Sequence, residues 1–199
     1  MDEGGQETDS GSGLSIEHLG GYIPEGDRAT WMPDIWGYLA LTYGIKSVID
    51  VGAGMGHNIR WWHDLGFDAR GVEGHPVALA ESPVREILVQ HDYERGPYDP
   101  GREYDLAICT EFVEHVDQSC EPNWFATLRR CRYVLMCHAV PGQGGHHHVN
   151  EQTTEYWLDR FYEYGFKCDW LLSQKFRDTD KRQGSGWGRP TLLFFEREA

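Results

Sequence analysis

Carboxylates and imidazoles gather at a few places in this 199-residue chain. In Glu111-Phe-Val-Glu114-His115, two carboxylates and an imidazole stand at i, i+3 and i+4, on one face if the turn is helical. Such a set can hold a divalent cation with open positions for substrate oxygens, or carry a proton to and from a substrate. Further on, His146-His147-His148 follows Gly144-Gly145 and precedes Asn150. The run can supply another ligand or a base, with the central His147 taken as the candidate; the plain alternative is a solvated loop. In Val48-Ile-Asp50-Val-Gly52-Ala-Gly54-Met-Gly56, an apolar strand breaks into alternate glycines, where a backbone can approach a ligand closely. Asp50, two residues before the first glycine, repels phosphate and attracts a cationic amine. The spacing is not the G-x-G-x-x-G of dinucleotide sites. Glu73, about twenty positions on, suits a carboxylate accepting hydrogen bonds from ribose hydroxyls.

The elements that must position these residues alternate along the chain. Helices are expected over Asp34 to Tyr43, Asn58 to Leu65, Pro76 to Ser82, Pro122 to Arg130 and Glu155 to Tyr164. Strands are expected at Val48 to Val51, Phe67 to Val72, Glu86 to Gln90, Tyr104 to Cys109, Tyr133 to His138, Phe166 to Leu172 and Thr191 to Glu196. This order implies a doubly wound, mainly parallel α/β sheet, with the glycine turn at a strand's carboxyl end. The polar stretch Ser173 to Pro190, with Lys175, Arg177, Lys181, Arg182, Trp187 and Arg189, reads as a long substrate-side loop.

The length suits one domain, residues 14–199, preceded by an acidic Gly/Ser-rich tail, 1–13, expected to be disordered. A net charge of −14 opposes nonspecific nucleic-acid binding. The five cysteines form no C-x-x-C pair and read as reduced thiols of a cytoplasmic protein. The longest apolar runs are strand-length, so no membrane partner is expected.

The D-x-G-x-G-x-G turn resembles motif I of the class I S-adenosylmethionine-dependent methyltransferases. Tyr104-Asp followed by an apolar strand and E-x-x-E-H resembles their motif IV, as in the metal-dependent O-methyltransferases of ubiquinone synthesis and the 2′-O-methyltransferases of small-RNA 3′ ends. The resemblance implies a seven-stranded sheet with an antiparallel last strand and S-adenosylmethionine as cofactor. Asp50, Gly52, Gly54, Gly56 and Glu73 would hold its amino-acid and ribose parts. It also implies that Asp92 meets the adenine amino group and that Tyr93 packs on the ring. Tyr22 and Trp31 become lid candidates, with packing between helix and sheet as the alternative. In the RNA enzymes a downstream histidine completes the metal site, which here gives Glu111, Glu114, His115 and His147 as candidate ligands to Mg²⁺ or Zn²⁺, with His147, His115 and Glu111 as the catalytic set. The alternative is the metal-free form of E-x-x-E-H, in which Glu and His organise the loop or contact substrate. Cys109-Thr110-Glu111-Phe112 is not the Asn/Asp-Pro-Pro-Tyr form of base N-methyltransferases, which disfavours DNA bases. The expected reaction is O-methylation of a small or glycan-like hydroxylated acceptor. The alternatives are RNA 2′-O-methylation, disfavoured by the acidic charge, and a cofactor-binding module without turnover.

Overall fold

The computed structural model describes residues 16–182 and 190–198. The acidic tail 1–13, Trp187 and Arg189 lie outside the described residues. Pro33 opens α1 (Pro33–Tyr43), where its missing N–H is harmless, and left-handed Gly44 ends it. Then follow β1 (Ser47–Val51), α2 (His57–Asp64), β2 (Asp68–Glu73), α3 (Pro76–Glu81), β3 (Leu88–Gln90), β4 (Tyr104–Thr110), α4 (Glu121–Leu128), β5 (Cys131–Cys137), α5 (Thr154–Glu163), β6 (Phe166–Cys168), α6 (Trp170–Arg182) and β7 (Leu193–Arg197).

The strands make one seven-stranded sheet in the order β3-β2-β1-β4-β5-β7-β6. Pairings from β3 to β5 are parallel, whereas β7 runs antiparallel to both β5 and β6. The order reverses between β1 and β4, which places a crevice beyond their carboxyl ends. Both faces are covered. Trp36 and Leu39 of α1, Ile59 and Trp62 of α2 and Phe176 of α6 share one core; Trp124 and Phe125 of α4 and Trp157 and Phe161 of α5 share the other. Residues alternate between these faces along each strand, so Val48 joins the first core and Ile49 and Val51 the second. Asp50 therefore shares the face of Val48 and lies 2% exposed.

Three expectations change. The strand expected over Phe166 to Leu172 stops at Cys168, because Asp169 caps a helix by accepting from Leu172 N at 2.9 Å. The expected loop from Ser173 is therefore helical as far as Arg182. The strand expected from Glu86 starts at Leu88, after one 3₁₀ turn over Arg85–Ile87. Among the described residues, no helix is long and apolar enough to cross a membrane.

Candidate active site

The glycine turn is built by close approach. The amides of Gly52 and Ala53 both donate to the Val72 carbonyl at 3.0 Å. Gly52 has φ +75, and a Cβ on it would meet Phe112 Cδ2 at 2.4 Å, so both the backbone angle and the space demand glycine. Glu73 ties this turn to the tip of β2: Oε2 accepts from Gly54 N at 2.7 Å and Oε1 from His75 N at 2.8 Å. Burial pushes the Glu73 carboxyl up, offset in part by the amides of His75, Gly54 and Gly74. A carboxylate has about four lone-pair sites, so acceptor capacity remains for hydroxyls. Burial, followed by the nearby charge of Glu73, raises the Asp50 carboxyl to about 7.

A cavity of about 580 Å³ opens at this turn. It is lined by Gly52, Gly54, Glu73 and Asp92 at the carboxyl ends of β1 to β3 and by Glu111, Phe112, His115, His146 and His148 from the segments after β4 and β5. Asp92 stands at the expected place, yet its oxygens are engaged: Oδ2 by His18 Nε2 and Arg95 Nε, each at 2.9 Å, and Oδ1 by Glu94 N at 2.9 Å. An adenine amino group there would share Asp92 with His18. Tyr93 departs further from expectation. Its ring is 4% exposed within the α4/α5 core and its hydroxyl lies 3.0 Å from Thr127 Oγ1, so it is a packing residue that only edges the cavity.

Much of the segment 18–30 lines the cavity. Tyr22 lines the cavity and meets the His75 ring at 4.9 Å, while the Pro24 carbonyl lies 2.8 Å from His57 Nε2. Trp31 does not share that position; it stands edge-on to Trp36 at 5.3 Å and belongs to the packing of α1. No motif or spacing marked His18 as a partner of Asp92 in advance.

The second end differs from the expected helical face. Glu111 has φ +51, a conformation rare for a residue with a Cβ, and a single 3₁₀ turn over Val113–His115 follows it. The reversal sends the Glu111 carboxylate to the Cys137 thiol, which donates to Oε1 at 3.0 Å. Glu114 is fully buried, and its carbonyl receives the amides of Val149 and Asn150 at 2.9 and 3.1 Å, which fastens the histidine loop to the turn after β4. Ligand atoms of Glu114, His115 and His148 all lie within 4.8 Å of one another. The expected set is thus corrected at two positions. Glu111 is turned away by its left-handed backbone. His147, also left-handed at φ +47, faces His18 across 6.3 Å, while its neighbours His146 and His148 line the cavity. Burial and then the neighbouring His148 push His115 down to about 4, so it is a neutral imidazole near pH 7.

Within sequence families, one described as a methyltransferase domain matches residues 27–168. The chain belongs to that methyltransferase family. Its fold is the class I Rossmann-like fold of S-adenosylmethionine-dependent enzymes. The methyltransferase superposes on the sugar N-methyltransferase KedS8 from Streptoalloteichus sp. ATCC 53650 with a TM-score of 0.62 and 17% identity, over 83% of this chain and 85% of that one. The methyltransferase domain of bacterial CtHen1-C gives 0.57 and 19%, over 83% and 97%. The glycopeptide N-methyltransferase MtfA, complexed with S-adenosylmethionine, gives 0.57 and 15%, over 85% and 93%. At these identities the likeness is one of fold. Comparison with curated protein sequences finds no match.

Proposed function

We propose that this methyltransferase is a cytoplasmic enzyme that methylates an oxygen of a small or glycan-like hydroxylated acceptor. The carrying observation is one cavity whose lining joins two unlike ends of the site, a glycine turn closed by Glu73 and the imidazoles His115 and His148, which cluster with Glu114. The residues at the first end fit S-adenosylmethionine: the Gly52 and Gly54 backbone lines the cavity, Glu73 keeps lone pairs for ribose hydroxyls, and Asp50, buried at the end of β1 and not itself a lining residue, supplies a nearby negative charge for an ammonium group. When bound, this cofactor supplies an electrophilic methyl group, which needs alignment with the acceptor more than activation.

The chain's own groups act on the acceptor. Glu114, His115 and His148 would hold a divalent cation, whose chemistry there is to lower the pKa of an acceptor hydroxyl. Two imidazoles and one carboxylate suit Zn²⁺ better than Mg²⁺, which prefers oxygen ligands. A neutral His115 is ready to bind a metal without first losing a proton. Glu111, outside that cluster but among the lining residues of the same cavity, takes the proton from the hydroxyl. His147, which does not line the cavity among the described residues, has no part in this scheme. No Lys or Arg of the described residues lines it either, which favours a neutral acceptor over a phosphate-bearing one such as RNA.

Calorimetry with S-adenosylmethionine tests the first end: wild type binds, and Glu73→Ala binds at least tenfold more weakly. Stripping with a chelator and re-adding Zn²⁺ tests the second, with activity on sugar and phenol panels lost and then regained. Full activity after stripping would remove the cation from the scheme.

A further inference from the structure

The loop between β5 and α5 carries its own clamp. Glu151 Oε2 accepts from Gly142 N at 2.7 Å, Oε1 accepts from Gly144 N at 2.6 Å, and the same Oε1 lies 3.0 Å from His148 Nδ1. One carboxylate therefore closes the loop on itself and grips the histidine. The His148 and Glu151 side chains are only 11% and 15% exposed, so water competes little for this contact. An ionised carboxylate can only accept, so in the neutral imidazole the proton sits on Nδ1 and the lone pair on Nε2. A second feature lets the ring sit there. A Cβ on Gly145 would come 2.3 Å from His148 Nε2, so only a glycine at this position allows the ring so close to the loop backbone. The His148 ring stands at 90° to that of His115 with centroids 4.9 Å apart.

We infer that Glu151 is a positioning residue, which holds His148 as the Nδ1–H tautomer and so commits Nε2 to the cluster with Glu114 and His115. The inference rests on the reading of that cluster as a divalent-cation site. A carboxylate bonded to the far nitrogen of a metal-binding histidine fixes the ring's orientation and raises its basicity, and its loss commonly costs about ten- to a hundredfold in metal affinity.

Two measurements on the whole chain decide the matter. Long-range ¹H–¹⁵N correlation spectra of the imidazoles, with His148 assigned by its loss in His148→Asn, read the tautomer in the metal-free protein. A protonated Nδ1 and bare Nε2 are expected; a protonated Nε2 overturns the inference. Calorimetry with ZnCl₂ then compares wild type, Glu151→Gln and Glu151→Asp, each checked for an unchanged far-UV spectrum. The Gln variant should bind about ten- to a hundredfold more weakly, and the Asp variant should recover part of the loss. Equal affinity in wild type and Glu151→Gln overturns the inference. A wild-type protein that binds no ion overturns the cation reading instead, and the tautomer alone then decides the role of Glu151.

Discussion

Asp50 bears two opposed demands. It is 2% exposed at the end of β1, and burial together with the charge of Glu73 lifts its carboxyl from 3.8 to about 7. Below about pH 4 the group is protonated in both folded and unfolded chains. Between about 4 and 7 the unfolded chain loses the proton while the native protein keeps it. Stability therefore falls as pH rises through this window, and the full penalty, about 4 kcal/mol for a shift of this size, is present above pH 7. An ammonium partner reverses the preference, since it favours the ionised form. Binding of S-adenosylmethionine should release a proton below pH 7 and tighten as pH approaches 7, which calorimetry in buffers of different ionisation enthalpy reads directly. Asp50→Asn should raise the melting temperature more at pH 8 than at pH 4 while weakening cofactor binding at least tenfold. A stability gain independent of pH would contradict this account. The strand, the glycines and the lone acid before them were legible in the sequence because each is a local feature. The price Asp50 exacts was not, since it depends first on burial and then on the second carboxylate that folding brings near.

At the scale of elements, the histidine loop is held by residues with no chemistry of their own. Asn150 Nδ2 donates to the Val113 carbonyl at 3.5 Å and to Glu121 Oε1 at 3.3 Å, and Glu121 is further bound by Tyr156 Oη and Arg160 Nε at 2.7 and 2.8 Å. Asn150→Ala leaves the backbone bonds to Glu114 but cuts the side-chain tie from loop to α4. We expect a loss of about 1–2 kcal/mol, a fall of roughly 2–8 °C in melting temperature, and at least a tenfold fall in turnover. Cofactor affinity should stay within about twofold, because Asp50 and Glu73 sit on other elements; an equal loss of cofactor binding would show that the two ends are not separable. The same scale explains what sequence patterning missed. Only Leu172 and Phe176 supply the apolar stripe of α6, with Ser173 and Arg177 buried beside them, so the helical period is hidden by polar residues. Asp169, three residues before Leu172, was a cap signal in plain sight. The E-x-x-E-H spacing was legible, but the left-handed backbone at Glu111 was not, and that one angle moves Glu111 out of the cluster. His148-x-x-Glu151 is also a legible pair, obscured by three histidines of equal standing.

For the whole molecule, sheet topology and charge act together. The reversal of strand order between β1 and β4 sets both ends of the site in one crevice, lined in part by the segment 18–30. Asp27, Glu73, Asp92, Glu94 and Glu111 line it without a Lys or Arg among the described residues, and the chain as a whole carries −14. RNA binding draws most of its affinity from phosphates neutralised by cationic side chains, with log K falling by about 0.7 to 0.9 per phosphate for each unit of log salt. Among the described residues the cavity lining offers no Lys or Arg to supply that term, and on the proposed reading repulsion should instead weaken any encounter. A short RNA duplex with free 3′ hydroxyls, titrated by fluorescence anisotropy at rising salt, should therefore bind no more tightly than about 10⁻⁴ M at physiological ionic strength. The slope against salt should be flat or slightly positive, and tritiated S-adenosylmethionine should leave no label on the RNA above a no-enzyme control. A neutral polyhydroxylated acceptor feels no such repulsion and should be methylated at a rate insensitive to salt. Tight, steeply salt-dependent RNA binding with label on a 2′ oxygen would reverse the acceptor assignment while leaving the cofactor end of the site as described.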